Sequence, residues 1–318
     1  MVPGKVTLTR HLFMYEVIFM IDLHTHTLHS DGADDVLTLL RQAQQKGIEY
    51  LSITDHNSVA AYRTPEMKNC GRYFEGKLIF GVEITCMYYG EVVEVLGYGF
   101  DLDIMEQQLE QHTLAFEEKQ NREFELLCKA FSKAGAVFDK SKVLFDPKKE
   151  SCRKAFMKDL ASHPENDALF SFVKSRESSK SFTRNEIYNP QSRLYVDESE
   201  LYPDVCTAVK MIHESGGKAL LAHLYEYSHA EEFRAQLDDI VSYFALDGIE
   251  CAHSSFNAEQ ISDLEMFCNK RKLLKSGGSD YHGARKPGCE IGIGRGTLCI
   301  SADYLGNWPA EIVGLHYR

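Results

Sequence analysis

Two histidines, two residues apart at the end of a short apolar run, constrain this chain more than any other feature. Val17, Ile18, Phe19, Met20 and Ile21 read as a short buried strand running into Asp22-Leu23-His24-Thr25-His26. Residues i and i+2 of an extended segment share a side, so His24 and His26 can converge on one ion. Asp31 and Gly32 then open a turn ahead of a helical pattern, which brings a carboxylate to the same rim. An ordinary strand end followed by a turn would look the same on this stretch alone. The later strands decide.

The helical pattern (Val36, Leu37, Leu40, Ala43) stops at Gly47, and the strand after it, Glu49 to Thr54, ends in Asp55-His56. Strand, helix, strand implies a parallel unit, whose sites lie at the carboxyl edge. A third strand, Lys77 to Val82, is expected to deliver Glu83, and a fourth, Val92 to Gly97, contains Glu94. A carboxylate in so apolar a strand either faces solvent on an edge or is tied to a cation. Residues 101–200 differ in texture. One long charged helical pattern runs through Leu109, Phe116, Phe124, Leu127 and Phe131 to Gly135, and mixed charged segments follow, Lys148-Lys149-Glu150 among them. We expect an inserted, mostly helical subdomain over 101–200, with the main fold made of 15–100 and 201–318. The α/β rhythm resumes with a helix over 203–215 and a strand, Lys218 to Ala222, ending in His223. Helices over 229–244 and 257–272 flank a strand with Glu250 near its end, and the last strand leads into Asp280 and His282, spaced like His24 and His26.

A chain of 318 residues, 44% hydrophobic and 26% charged, can bury a large core. Its net charge of −12 argues against a broad footprint for long nucleic acid but leaves room for a small anionic substrate held by bound cations. The nine scattered cysteines form no C-x-x-C pair, which disfavours a zinc ribbon or disulfide scaffold and suits a reducing cytoplasm. The N-terminal apolar stretch is short and interrupted by His11, Tyr15 and Glu16, so we expect neither a signal nor a membrane span.

The strand-end residues are His24, His26, Asp31, His56, Glu83, Glu94, His223, Asp280 and His282. Imidazoles and carboxylates without thiolate suit Mn, Fe or Zn, with Mg possible, and nine ligands exceed what one ion takes. A cluster of two or three divalent ions follows, and such clusters activate water against phosphoesters.

His24-Thr25-His26, Ser30-Asp31-Gly32, Thr54-Asp55-His56, Gly81-Val82-Glu83, Ala222-His223 and Gly278-Ser279-Asp280-Tyr281-His282 resemble the motifs of the PHP (polymerase and histidinol phosphatase) family, in family order. Within it, the chain is similar to a branch of small phosphoesterases acting on nucleotides or short oligonucleotides, with a helical insertion after the fourth strand. The resemblance implies a distorted (β/α)7 barrel. It implies one ion on His24, His26, Glu83 and Asp280, a second on Glu83, Glu94 and His223, and a third on Asp31, His56 and His282. Glu83 would bridge two ions, and His223, His282 or a metal-bound water could protonate the leaving group. This chain departs from that pattern at Glu94, where the branch usually has histidine, and at Leu224-Tyr225-Glu226, where proline and a basic residue are common. Arg285, Lys286 and Arg153 are the candidate phosphate partners, and His29, Glu250 and His253 are expected in outer or surface positions. The expected function is metal-dependent hydrolysis of a small phosphate ester, nucleotide-like or a sugar or amino-alcohol phosphate. The alternatives are a nuclease on short single strands and a weakly catalytic metal-binding regulatory module.

Overall fold

A computed structural model describes residues 20–143, 151–227, 229–296 and 298–313. Val17, Ile18 and Phe19 of the expected first strand lie outside the described residues, as do Lys148, Lys149 and Glu150. Strands β1 (Met20–Asp22), β2 (Ile48–Leu51) and β3 (Lys77–Leu78) form a parallel three-stranded sheet in that order. Strands β4 (Gly81–Tyr88), β5 (Glu91–Tyr98), β6 (Lys218–Leu221), β7 (Gly248–His253) and β8 (Leu274–Gly278) form a five-stranded sheet.

Backbone hydrogen bonds join the two sheets at both seams. Leu23 N donates to Gly277 O (3.1 Å) and His26 N to Tyr281 O (2.8 Å), which ties the end of β1 to the end of β8. Past β2, Asn57 N donates to Glu83 O (2.8 Å) and Glu83 N to Asp55 O (3.3 Å). The first helix, α1 (Val36–Gln45), starts where the Asp35 carboxylate accepts from Thr38 N. It turns Val36, Leu39, Leu40 and Ala43 into the main core and ends at Gly47, whose φ of 69° suits glycine.

The structure corrects the expectation of one strand from Lys77 to Val82. The strand breaks after Leu78, and the Tyr62 hydroxyl fills the break, donating to Ile53 O (2.7 Å) and accepting from Gly81 N (2.9 Å). A Cβ at Gly81 would lie 2.1 Å from Ser52 Oγ, so the chain passes there only as glycine. It re-enters as β4, antiparallel to β5, which is antiparallel to β6. Tyr89 (φ 46°) and Gly90 (φ 87°) make the two-residue connection, and both take the left-handed backbone that matches strand twist in tight hairpins. No crossover helix separates β4 from β5, so they cannot run parallel. Glu83 and Glu94 therefore sit inside strands, not at carboxyl ends.

Parallel order returns over β6, β7 and β8, connected by α7 (Ala230–Ala235), α8 (Leu237–Tyr243) and α9 (Ala258–Arg271). Helix α6 (Val205–Glu214) precedes β6 and buries Val205, Ala208, Val209, Met211 and Ile212. The single long helix expected before Gly135 is two, α2 (Leu102–His112) and α3 (Phe116–Lys133), because Thr113 turns extended and its hydroxyl takes Leu109 O. Met105 and Leu109 of α2 belong to the main core. A second core, including Leu127, Phe131, Phe156, Leu160, Phe182, Ile187 and Leu194, is built by α3, α4 (Cys152–Ser162), α5 (Ser179–Phe182) and the turns up to Val196. Each such side chain contributes about 1.5–3 kcal/mol by burial. Among the described residues no helix is long and apolar enough to cross a membrane.

Candidate metal centre

Two buried carboxylates outside the nine candidates, Asp22 and Asp55, arrange the strand ends. Asp22 accepts from Ser279 N (2.9 Å), Ser279 Oγ (2.6 Å) and Gly292 N (2.7 Å), fixing the end of β8 against that of β1. Burial pushes its carboxyl up, and the bonds from Ser279 pull it back only in part. Asp55 accepts from Thr27 N (2.7 Å), Thr27 Oγ1 (2.6 Å) and Ser30 Oγ (2.5 Å), holding the turn that carries Asp31. His223 (φ 20°) and Asp280 (φ 55°) take left-handed backbone, a strain that surrounding contacts must hold in place.

All nine sequence-derived ligands come together, with Glu83 as the hub. Its Oε2 lies 3.2 Å from His24 Nε2, 3.2 Å from His26 Nε2 and 3.3 Å from His56 Nδ1, and its Oε1 lies 2.9 Å from His223 Nε2. Glu94 reaches the same place from mid-strand, 3.3 Å from His56 Nδ1 and 3.1 Å from His223 Nε2. Asp280 Oδ1 lies 3.4 Å from His26 Nε2, 3.7 Å from His24 Nε2 and 3.3 Å from His282 Nδ1. Asp31 Oδ1 faces His282 Nε2 (3.1 Å), His26 Nδ1 (3.6 Å) and His56 Nε2 (3.8 Å).

These groups fit divalent ions. Both ring nitrogens of His26 are buried without a hydrogen-bond partner, as are His56 Nδ1 and His223 Nδ1. Buried polar atoms are rarely left so. Two ligand atoms about 2.1 Å from one tetrahedral ion lie roughly 3.4 Å apart, close to the separations here. Four overlapping clusters keep all their ligand atoms within 4.8 Å of one another: His24, His26, Asp280; His24, Glu83, His223; His56, Glu83, Glu94; and His26, Asp31, His56, His282.

The electrostatics agree. Burial opposes charge on His26, yet its carboxylate neighbours Asp280 and Glu83 prevail and push it up to about 10. Burial likewise opposes, and Glu83 overrides, for His24 and His223, both raised well above the ordinary imidazole value. Against burial, His24 and His56 hold Glu83 well below the usual carboxylate range. Protons on the histidines balance the carboxylates in the ion-free protein, and cations would take that place.

The outer groups are better ordered than the sequence suggested. Glu250 is fully buried, with Oε1 2.8 Å from His24 Nδ1 and Oε2 accepting from His223 N at 2.8 Å. A carboxylate only accepts, so His24 Nδ1 keeps its hydrogen on Glu250, and Nε2 is the atom left to an ion once a cation replaces the proton it shares with Glu83. His253 is buried and bonds Asp280 Oδ2 at 3.1 Å, where Lys286 Nζ also pairs. Two ionisable residues in an otherwise apolar, wholly buried strand, β7, were the available signal. His29 and Arg285 are exposed at the rim. Arg153 is turned into the insertion, held by Glu198 at 2.8 Å, by Glu123 and by the Tyr188 hydroxyl. A cavity of about 90 Å³ adjoins the centre, its lining including Glu91, Glu94, Arg184, Tyr188, His223 and Glu226.

The family model of the PHP domain matches residues 22–250. This chain belongs to the PHP domain family. Among relatives of this PHP protein, the 5′-3′ exoribonuclease Rnm of Escherichia coli is 27% identical over 92% of this chain and 94% of its own. The phosphoribosyl 1,2-cyclic phosphate 1,2-diphosphodiesterase of Eggerthella lenta is 26% identical over 82% of this chain and 94% of its own. By name, both relatives are hydrolases of phosphoester bonds. A Bifidobacterium adolescentis protein assigned as a metal-dependent phosphoesterase shares the α/β fold, with a TM-score of 0.61 and 22% identity over 92% of this chain and 95% of its own.

Proposed function

We propose that this PHP protein is a metal-dependent hydrolase of phosphoester bonds, acting on a small phosphate ester or on the end of a short nucleotide chain. The observation that carries the reading is the Glu83 hub, whose two oxygens face four imidazoles while both nitrogens of buried His26 stay without a hydrogen bond. His24, His26, Glu83 and Asp280 would hold one ion; Glu83, Glu94 and His223 a second; Asp31, His56 and His282 a third. Bound ions of this kind make a nucleophile of water and neutralise phosphoryl oxygens. The chain's own part is to fix the ligand geometry through Glu250, Asp22 and Asp55, and to keep the inner imidazoles dry. His223 and His282 lie at the more open side, at 10% and 13% side-chain exposure, and are the candidate proton donors to a leaving oxygen.

Glu94 supplies oxygen to the second ion position, which favours Mn or Mg there over Zn. The scattered thiols support a cytoplasmic setting. Counting β3 and β4 as one interrupted strand, the two sheets and their seams support the distorted (β/α)7 barrel, with α2 packed on it and the second core, from α3 to Val196, as its insertion.

A second reading, removal of nucleotides from a short RNA end, is favoured by the full-length similarity to Rnm. The net charge of −12 suits a grip on a chain end and not along its length. Metal-loaded protein assayed on bis(p-nitrophenyl) phosphate, sugar phosphates and a 5′-phosphorylated oligoribonucleotide tests both readings. Hydrolysis of none of them, with metal bound, would overturn the proposal.

A further inference from the structure

We propose that Tyr188 donates a hydrogen bond to the ester oxygen as it leaves phosphorus. The inference rests on the phosphoesterase reading and adds to it a catalytic residue from the insertion. Tyr188 lines the cavity of about 90 Å³ that also meets Glu94 and His223. It therefore stands where the rest of an ester would lie once the metal centre holds the phosphoryl oxygens. Glu91, Glu94 and Glu226 share this lining with Arg184. Carboxylates outnumber guanidinium in that wall, which suits the uncharged alcohol half of an ester and repels a further anion.

The phenol is held as a donor. Arg153 Nη1 donates to its Oη at 2.5 Å, which fills the acceptor side of the oxygen and leaves the O–H hydrogen to point elsewhere. Arg153 is itself fixed. Its guanidinium pairs with Glu123 and with both oxygens of Glu198, at 2.9 and 2.8 Å, and packs 4.9 Å from the centre of the Tyr188 ring. Among the described residues the Tyr188 hydrogen finds no acceptor. Tyr227, also in the lining, is spent on the backbone: it accepts from Glu94 N (3.0 Å) and donates to Ala222 O (3.0 Å). Burial holds the Tyr188 phenol well above its ordinary value although Arg153 opposes it, so the proton is present at neutral pH. Hydrolysis puts the hydroxide oxygen of water on phosphorus; the ester oxygen departs with the bonding pair and takes water's other proton, becoming an alcohol. Negative charge grows on that oxygen before the proton arrives, and a fixed O–H donor stabilises it without giving up its own hydrogen.

The benefit grows with the basicity of the leaving oxygen, and this sets the test. Metal-loaded wild type and Tyr188→Phe are assayed on p-nitrophenyl and phenyl esters of phosphate, as monoesters and as diesters. Phenylalanine keeps the ring and loses only the hydroxyl. We expect kcat on the phenyl esters to fall about a hundredfold or more, and kcat on the p-nitrophenyl esters by no more than about threefold, with KM nearly unchanged. An equal loss on both leaving groups, as a purely structural role gives, or no loss on either, would overturn the inference. So would a wild type that cleaves p-nitrophenyl but not phenyl esters. A wild type that cleaves neither overturns the phosphoesterase reading and the inference with it, so the two failures are told apart.

Discussion

Replacing Glu250 by Gln separates ligand orientation from ligand identity, because Glu250 would touch no ion. Its two oxygens have two customers, the His24 Nδ1 hydrogen and the His223 backbone N–H, each 2.8 Å away. Glutamine has the same shape but only one acceptor oxygen. If that oxygen serves His24, the amide NH2 faces the His223 N–H, and two buried donors confront each other at a cost of about 1–3 kcal/mol. If it serves His223, the NH2 faces His24 Nδ1 and forces the hydrogen onto Nε2, which removes the lone pair that would take an ion there. Either way the site weakens by a similar amount, and outer partners of metal-bound histidines are worth about 10–100-fold in affinity. We expect Glu250→Gln to raise the free metal concentration needed for half occupancy by about that factor, measured by competition with a chromophoric chelator. Circular dichroism should show a native fold. Metal affinity within twofold of wild type would refute the argument that Glu250 sets the His24 tautomer.

Three further outcomes follow from the same geometry. Glu83→Gln should lower phosphoester hydrolysis by about a thousandfold or more and reduce bound metal below wild type by elemental analysis, because one side chain faces four imidazoles; substantial residual activity would remove it as the bridge. Glu94→His should shift the ratio of Mn- to Zn-supported activity toward Zn by about tenfold or more, and superimposable metal titrations would place Glu94 outside the centre. Glu226 is held well below the ordinary carboxylate range: burial pushes it up, but Arg184 and Lys180 outweigh burial. Its contribution is therefore present above its unfolded value of 4.5 and lost as pH falls toward the folded one. The stability gap between wild type and Glu226→Gln, about 1 kcal/mol after solvent screening, should hold near neutral pH and shrink below about pH 4.5 in urea titrations.

The side chains that converge on Glu83 were legible because the pattern is local in sequence: i, i+2 pairs such as His24 and His26 declare themselves wherever the chain is extended. The parallel units around α1 and α9 were legible for the same reason, through periodicity and caps. The reversal of β4 and β5 was not, since apolar strands of either direction read alike. Its one local sign, Tyr89-Gly90, lacks the Asn-Gly form that marks tight hairpins. Glu94 was ambiguous in sequence because edge and site carboxylates look the same until partners such as His56 and His223 fix the facing. Glu250 and His253 were undervalued because their partners, His24 and Asp280, lie far away along the chain. Arg153 misled in the opposite sense, as its partners Glu123 and Glu198 reveal an interior ion network that no spacing announces.

The Asp22 seam has a consequence for synthesis. Its acceptors are filled by Ser279 and Gly292, more than 250 residues downstream, so the first strand leaves the ribosome with its closing partners still unmade. Until then it carries an unsatisfied carboxylate and an apolar edge, in a topology whose longest contacts are the last to form. An ion captured early by His24 and His26 would find neither Asp280 nor His282 and would be released. A chain cut before residue 280 would lack Asp280 and His282, and one cut before 292 would lack the Gly292 bond that closes the seam, so neither should hold an ion or stay soluble.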